Sequence, residues 1–285
     1  MKEKSLGTII NEKTGKFIKE ISGGDIRYKS KLVDNVVTFI GASGGVGVTT
    51  LIANIGWIMS TKNLMVLLID CNLVYPSLNN FFKVRNTVRK DDLVSFLLGD
   101  REFESCIEND GNIILSYAHN RTIIDSLNCD NPISAKNMDL AIERLKEIFD
   151  IIIIDGNLNC VSHDVFNTVL YKSDTIYLVW DENVNCILNT DRFKRSLIMT
   201  GVDSYKIRAI INKRTDVFYS GNHIKKLGIE VDAILPFDID IVEAGLNKEI
   251  FCRDRTKRSR NAIEFDRRLR KLVDDIVASR TYINF

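Results

Sequence analysis

The sequence predicts an α/β fold, a mostly parallel, twisted sheet held between two layers of helices. Three observations predict it. From about residue 35 onward, short uninterrupted apolar runs alternate with helix-length amphipathic stretches. The runs are too apolar for a sheet with one wet face, and a parallel sheet covered on both sides accommodates them. Several runs end at a glycine or a polar residue (Gly41, Asp70, Asp155, Asn212), so these four are expected to meet along the carboxyl rim, where such sheets bind ligands.

The elements follow in order. Residues 1–34 are expected to form an N-terminal extension. In it Leu6, Thr8, Ile9 and Ile10 pair as a hairpin with Phe17, Ile18 and Ile21 around Asn11–Gly15, before Ser22-Gly23-Gly24 breaks the pattern. Residues 35–285 are expected to form one domain. Val36–Ile40 is a β-rich run, and Leu51–Ser60 is a helix with Ile52, Ile55, Ile58 and Met59 on its apolar face. Leu64–Ile69 and Ile113–Tyr117 are strands, and Ala135–Phe149 has helical spacing through Met138, Leu140, Ile142, Leu145 and Ile148. Ile151–Ile154, Thr175–Trp180, Ile207–Ile211 and Val231–Leu235 complete the strands, with helical stretches between them.

Composition excludes several classes. Among 285 residues, 45% are hydrophobic and 27% charged, with a formal net charge of +1, which suits a globular domain and points to no partner by itself. No uncharged apolar run approaches the roughly 20 residues that span a bilayer. Met1-Lys2-Glu3-Lys4-Ser5 leads into no apolar segment, so a cytoplasmic chain without a secretory signal is expected. The six cysteines, Cys71, Cys106, Cys129, Cys160, Cys186 and Cys252, form no Cys-x-x-Cys pair and read as reduced, mostly buried thiols. His119, His163 and His223 are too sparse for a metal cluster.

The chemistry concentrates in one segment. Val36–Ile40 runs into Gly41-Ala42-Ser43-Gly44-Gly45-Val46-Gly47-Val48-Thr49-Thr50 and then into a helix. Strand, glycine-rich loop and helix in that order bring backbone N–H groups together on a phosphate and add the helix dipole. The segment resembles the phosphate loop of the ParA/MinD/CpaE family, P-loop NTPases with a deviant Walker A loop of the form Lys-Gly-Gly-x-Gly-Lys-Thr-Thr. Gly44, Gly45, Gly47, Thr49 and Thr50 match. Ala42 replaces the first glycine of the general pattern. Ser43 stands at the family's signature lysine, which reaches across a dimer to the partner's nucleotide, and Val48 at the lysine that holds the β- and γ-phosphates. Each lost ammonium contact is worth roughly 1.5–3 kcal/mol, and each would offset charge that develops during phosphoryl transfer.

The resemblance covers about residues 35–250 and implies a site. Ser43, Gly44, Gly45, Val46, Gly47, Val48, Thr49 and Thr50 would hold ATP or ADP. Asn212 would read the adenine edge, with Pro236 of Leu235-Pro236-Phe237-Asp238 beside the base. Thr49, Asp70 and Asp155 would hold magnesium: Asp70 opens a segment like the family's Asp-x-Asp switch, and Asp155 ends a Walker B-like strand. Asn72 replaces the second switch aspartate, which the family uses to organise the attacking water. No catalytic residue is assigned.

The C-terminal stretch from Arg253 to Lys271 is basic and carries an apolar stripe of Leu269, Leu272, Val273, Ile276 and Val277. It reads first as a docked helix with a solvated basic face. Arg267, Arg268, Arg270 and Lys271 could instead contact non-specific DNA or, less readily, an anionic membrane surface. Arg192 and Arg195 share a helix face and raise the same question. Three functions stay open. The first is a non-hydrolysing positioning protein for a pilus or secretion machine or for partitioning, acting through protein partners as a homodimer. The second is an active ATPase in which Lys213 or another displaced cation serves the phosphates. The third is a nucleotide-independent DNA-binding dimer.

Overall fold

The computed structural model describes residues 31–32, 34–73, 75–83, 91–118, 133–156, 163–182, 184–215, 228–254, 259–280 and 282–283. The expected N-terminal hairpin lies outside them, as do Cys129, Cys160, His119 and His223.

Among the described residues ten strands are present: β1 (Lys31–Leu32), β2 (Val36–Gly41), β3 (Val66–Asp70), β4 (Glu108–Asp110), β5 (Ile113–Ser116), β6 (Ile151–Asp155), β7 (Thr175–Trp180), β8 (Ile207–Arg214), β9 (Glu230–Pro236) and β10 (Tyr282–Ile283). Seven helices accompany them: α1 (Val48–Ser60), α2 (Leu93–Leu97), α3 (Ala135–Lys146), α4 (His163–Lys172), α5 (Val184–Met199), α6 (Ile239–Leu246) and α7 (Arg260–Ala278). The main sheet has eight strands in the order β4-β5-β3-β6-β2-β7-β8-β9. All neighbours are parallel except β4 and β5. The mostly parallel sheet between helix layers is therefore as expected. β1 pairs antiparallel with β10 in a separate two-stranded sheet, which joins the chain before residue 35 to its C-terminal end.

The period of two in each strand explains the layers. In β3, Val66 and Leu68 face one core and Leu67 and Ile69 the other; in β6, Ile151 and Ile153 divide from Ile152 and Ile154 in the same way. The first core takes Leu51, Ile52, Ile55, Ile58 and Met59 of α1 and Phe265, Leu269, Leu272, Val273 and Ile276 of α7. The second takes Leu93, Val94 and Leu97 of α2, Met138, Ile142 and Leu145 of α3, and Val165 and Val169 of α4. α1 lies close on the sheet: a Cβ at Gly56 would come within 3.0 Å of Leu68 Cδ1.

Element ends differ from expectation where local hydrogen bonding decides them. α3 stops at Lys146 because the Glu147 and Ile148 N–H groups turn to the Arg144 and Leu145 carbonyls, although Ile148 and Phe149 stay buried. β8 runs on to Arg214, so Asn212 lies inside a strand rather than at its end. β4 is an edge strand of three polar or charged residues with no apolar pattern to predict it.

Two features position the site. β2 lies between β6 and β7, so the connections leaving β2 and β6 depart in opposite directions and open a crevice at the carboxyl ends of the strands. The buried Asn54 of α1 donates from Nδ2 to the Thr50 carbonyl and accepts at Oδ1 from the Cys252 N–H, each at 2.8 Å. That residue fixes the first turn of α1 against the turn that precedes α7.

Candidate functional site

The loop from Gly41 to Gly47 enters α1 through Gly47, whose φ of 93° suits glycine alone among ordinary residues. A Cβ there would lie 2.7 Å from Asn212 Nδ2. Gly44 and Gly45 have nothing within 4 Å of an added Cβ, so the loop backbone faces open space. α2, α3, α6 and α7 each begin with an Asp or Ser side chain that accepts a backbone N–H. α1 has no such cap and no acidic residue in its first turn. Its first-turn N–H groups are thus left for an anion.

These groups border a cavity of about 520 Å³. Gly41, Ser43 to Leu51, Asp155, Gly156, Asn212, Lys213, and the segment from Pro236 through α6 line it. Within it, Thr49 Oγ1 donates to Asp155 Oδ2 at 2.7 Å. Asp155 is 3% exposed and its carboxyl is pushed up to about 8, first by burial and then by the negative charge of Asp70, while the Thr49 hydroxyl opposes the rise.

The structure brings the expected residues together around the cavity, Asp70 excepted. Asp70 pairs with Asp155 across β3 and β6 but does not line the cavity. Its carboxylate turns into its own loop and accepts from the Asn72, Ser77 and Leu78 N–H groups at 2.9–3.0 Å. Burial raises its pKa and those three bonds oppose the rise. Asn212 spends its amide on the loop, donating to the Val46 carbonyl at 2.8 Å. Val48 lines the cavity and packs against the first core, so that position presents methyl groups and no cation. Ser43 is tied by a 2.8 Å hydrogen bond to Cys186 of α5. Pro236 is on the cavity wall.

A comparison with known families matches the AAA domain over residues 34–217. The chain belongs to the AAA domain family. Solved structures place its fold among the ParA/MinD-type P-loop NTPases. The MinC:MinD cell division complex of Aquifex aeolicus aligns with a TM-score of 0.68 at 19% identity, covering 86% of this chain and 96% of that one. A ParA family ATPase from Chlorobium tepidum gives 0.70 at 18%, covering 86% and 98%. The septum site-determining protein MinD of Pyrococcus horikoshii, complexed with Mg-ADP, gives 0.68 at 18%, covering 85% and 95%. A comparison with curated proteins finds no match.

In this AAA domain chain one cavity residue has a placement the loop pattern does not encode. Lys213 has φ 55°, a left-handed backbone that costs a non-glycine residue about 1–2 kcal/mol. Its Nζ donates to the Gly45 carbonyl at 2.5 Å. The sequence offers Lys213 as one of several cations that could serve the phosphates, and its position on the cavity wall and its left-handed backbone are what the structure adds.

The basic helix is accounted for by its own partners. Arg267 and Arg268 both donate to Glu264, and Arg268 also to the Ile234 carbonyl. Arg270 donates to Asp266 and the Cys252 carbonyl and lies over the Trp57 ring, and Lys271 pairs with Asp275. The apolar stripe of Leu269, Leu272, Val273 and Ile276 is buried in the first core and is not available to a membrane. On α5, Lys194 donates to the Gly228 carbonyl and Arg195 pairs with Asp191. No helix among the described residues is long and apolar enough to cross a membrane. Among those residues no group of three or more His, Cys, Asp or Glu could hold a metal ion.

Proposed function

We propose that this chain is a ParA/MinD-type positioning or scaffold protein that binds ATP or ADP with magnesium and hydrolyses it slowly or not at all. The observation that carries the reading is the uncapped start of α1 beside an open glycine loop whose own positions 43 and 48 bring no ammonium. The backbone N–H groups from Gly44 to Thr50 would hold the phosphates. Thr49 and Asp155 offer oxygen donors of the kind magnesium takes, which keeps several waters and needs only one or two carboxylates besides phosphate. Bound magnesium would offset phosphate charge and stabilise the ionised form of Asp155. Asp70 would act from behind through its charge, and Pro236 would lie beside the base.

Slow hydrolysis follows from what positions 43, 48 and 72 cannot do. Val48 and Ser43 cannot offset charge at the transferring phosphoryl group, and Asn72 cannot take a proton from water. The MinC:MinD complex shows a relative of this fold assembling with a protein partner. By that likeness the chain would work through protein partners, as a homodimer that forms without nucleotide.

Calorimetric titration of ATP·Mg and ADP, run beside a phosphate-release assay, tests the reading. Binding with turnover at background supports it. Brisk turnover abolished by Asp155→Ala refutes it in favour of an active ATPase.

A further inference from the structure

β8 and β9 pair Ile211 with Ile234 and Arg214 with Pro236, so β8 takes three steps where β9 takes two. A bulge of this kind adds one residue to a strand and re-aims its side chain, and bulges recur beside functional sites. Lys213 lies on that added stretch with its strained left-handed backbone. Its side chain crosses from β8 to the loop, where Cε comes 3.7 Å from a Cβ placed on Gly47 and Nζ meets the Gly45 carbonyl. It is the one cationic side chain among the described residues lining the cavity. Among those residues it makes no ion pair with a carboxylate, and its hydrogen-bond partner is the neutral Gly45 carbonyl.

We propose that Lys213 supplies the phosphate-binding ammonium that the loop lacks at positions 43 and 48. The inference rests on the nucleotide reading above and names the residue that makes such binding workable. A lysine ammonium has three donors and here spends one on the loop, which leaves capacity for phosphate oxygens. Strain held at a cavity wall is itself a pointer to function, and the bulge is what delivers this ammonium to a loop 168 residues earlier in the chain. Lys213 is thus a ligand-binding residue that arrives from β8 rather than from α1.

The competing role is a brace, in which Lys213 does no more than hold the Gly45 carbonyl. Lys213→Gln keeps a donor of similar reach without the charge, and Lys213→Met removes both. Calorimetry with ADP, inorganic pyrophosphate and adenosine on the full chain separates the roles, with thermal melts of the free variants confirming that each folds. Both variants should bind ADP and pyrophosphate roughly 10- to 100-fold more weakly while leaving adenosine within about twofold. Lys213→Gln binding ADP and pyrophosphate as the unaltered chain does would overturn the proposal and leave the nucleotide reading standing. An unaltered chain that binds neither would overturn both.

Discussion

Asp155 sets the electrostatics of the cavity at the scale of single residues. Its carboxyl sits at about 8 in the folded chain against an ordinary value of 3.8, because burial and the neighbouring Asp70 both disfavour its charge. Between those two values the native state keeps a proton that the unfolded chain releases, so this group lowers stability as pH rises from about 4 to about 8. Asp155→Asn removes that slope. In magnesium-free buffer the variant's Tm should gain on that of the unaltered chain as pH rises from 5 to 8. Each kcal/mol is worth about 2–4 °C in a domain approaching this size. Thermal melts at several pH values check it, and a constant difference would show that Asp155 is not the source. That Thr49, Asp155, Pro236 and the glycines gather at one cavity was legible, because their placement follows from type and order along the chain. The fate of Asp70 was not, since the sequence does not say that its lone pairs are taken by the N–H groups of residues 72, 77 and 78. Lys213 could be named as a candidate cation from its place after Asn212, but its left-handed backbone could not, because no glycine or asparagine marks it.

At the scale of elements, α7 shows how a basic surface is reconciled with a docked helix. Glu264 lies between Arg267 and Arg268, whose hydrogen bonds hold its carboxyl down at about 2, below an ordinary 4.5. A depressed value means stability present above the unfolded pKa and lost as pH falls from about 4.5 through 2. Glu264→Gln should therefore destabilise the chain at pH 7 and make little difference at pH 2. The pairs are partly solvated, so the effect should stay within about 1 kcal/mol and shrink in high salt. Urea unfolding at the two pH values and two salt concentrations measures it. The strands β2, β3, β6 and β7 could be read from the sequence because both their faces are buried and leave an unbroken apolar run. β4 could not, since Glu108–Asp110 is recruited only by pairing with β5. The apolar stripe of α7 was visible as spacing, and the structure decided that it faces the core rather than a lipid surface.

For the whole molecule, the question is what nucleotide would change. The resemblance to the ParA/MinD/CpaE family implies a signature lysine that would link two subunits through ATP, and here Ser43 stands at that position and is bonded within its own chain to Cys186. Sedimentation should therefore give the same oligomeric state with and without ATP·Mg. A monomer that pairs only when ATP is added would contradict the reading. One consequence remains in the architecture. Asn54 touches the strand of chain that follows the phosphate loop with one end of its amide and the foot of the C-terminal helix with the other. A displacement at the cradle therefore pulls on the buried turn at Cys252 as well, and whatever fills the pocket is felt where the chain sets out towards its last helix.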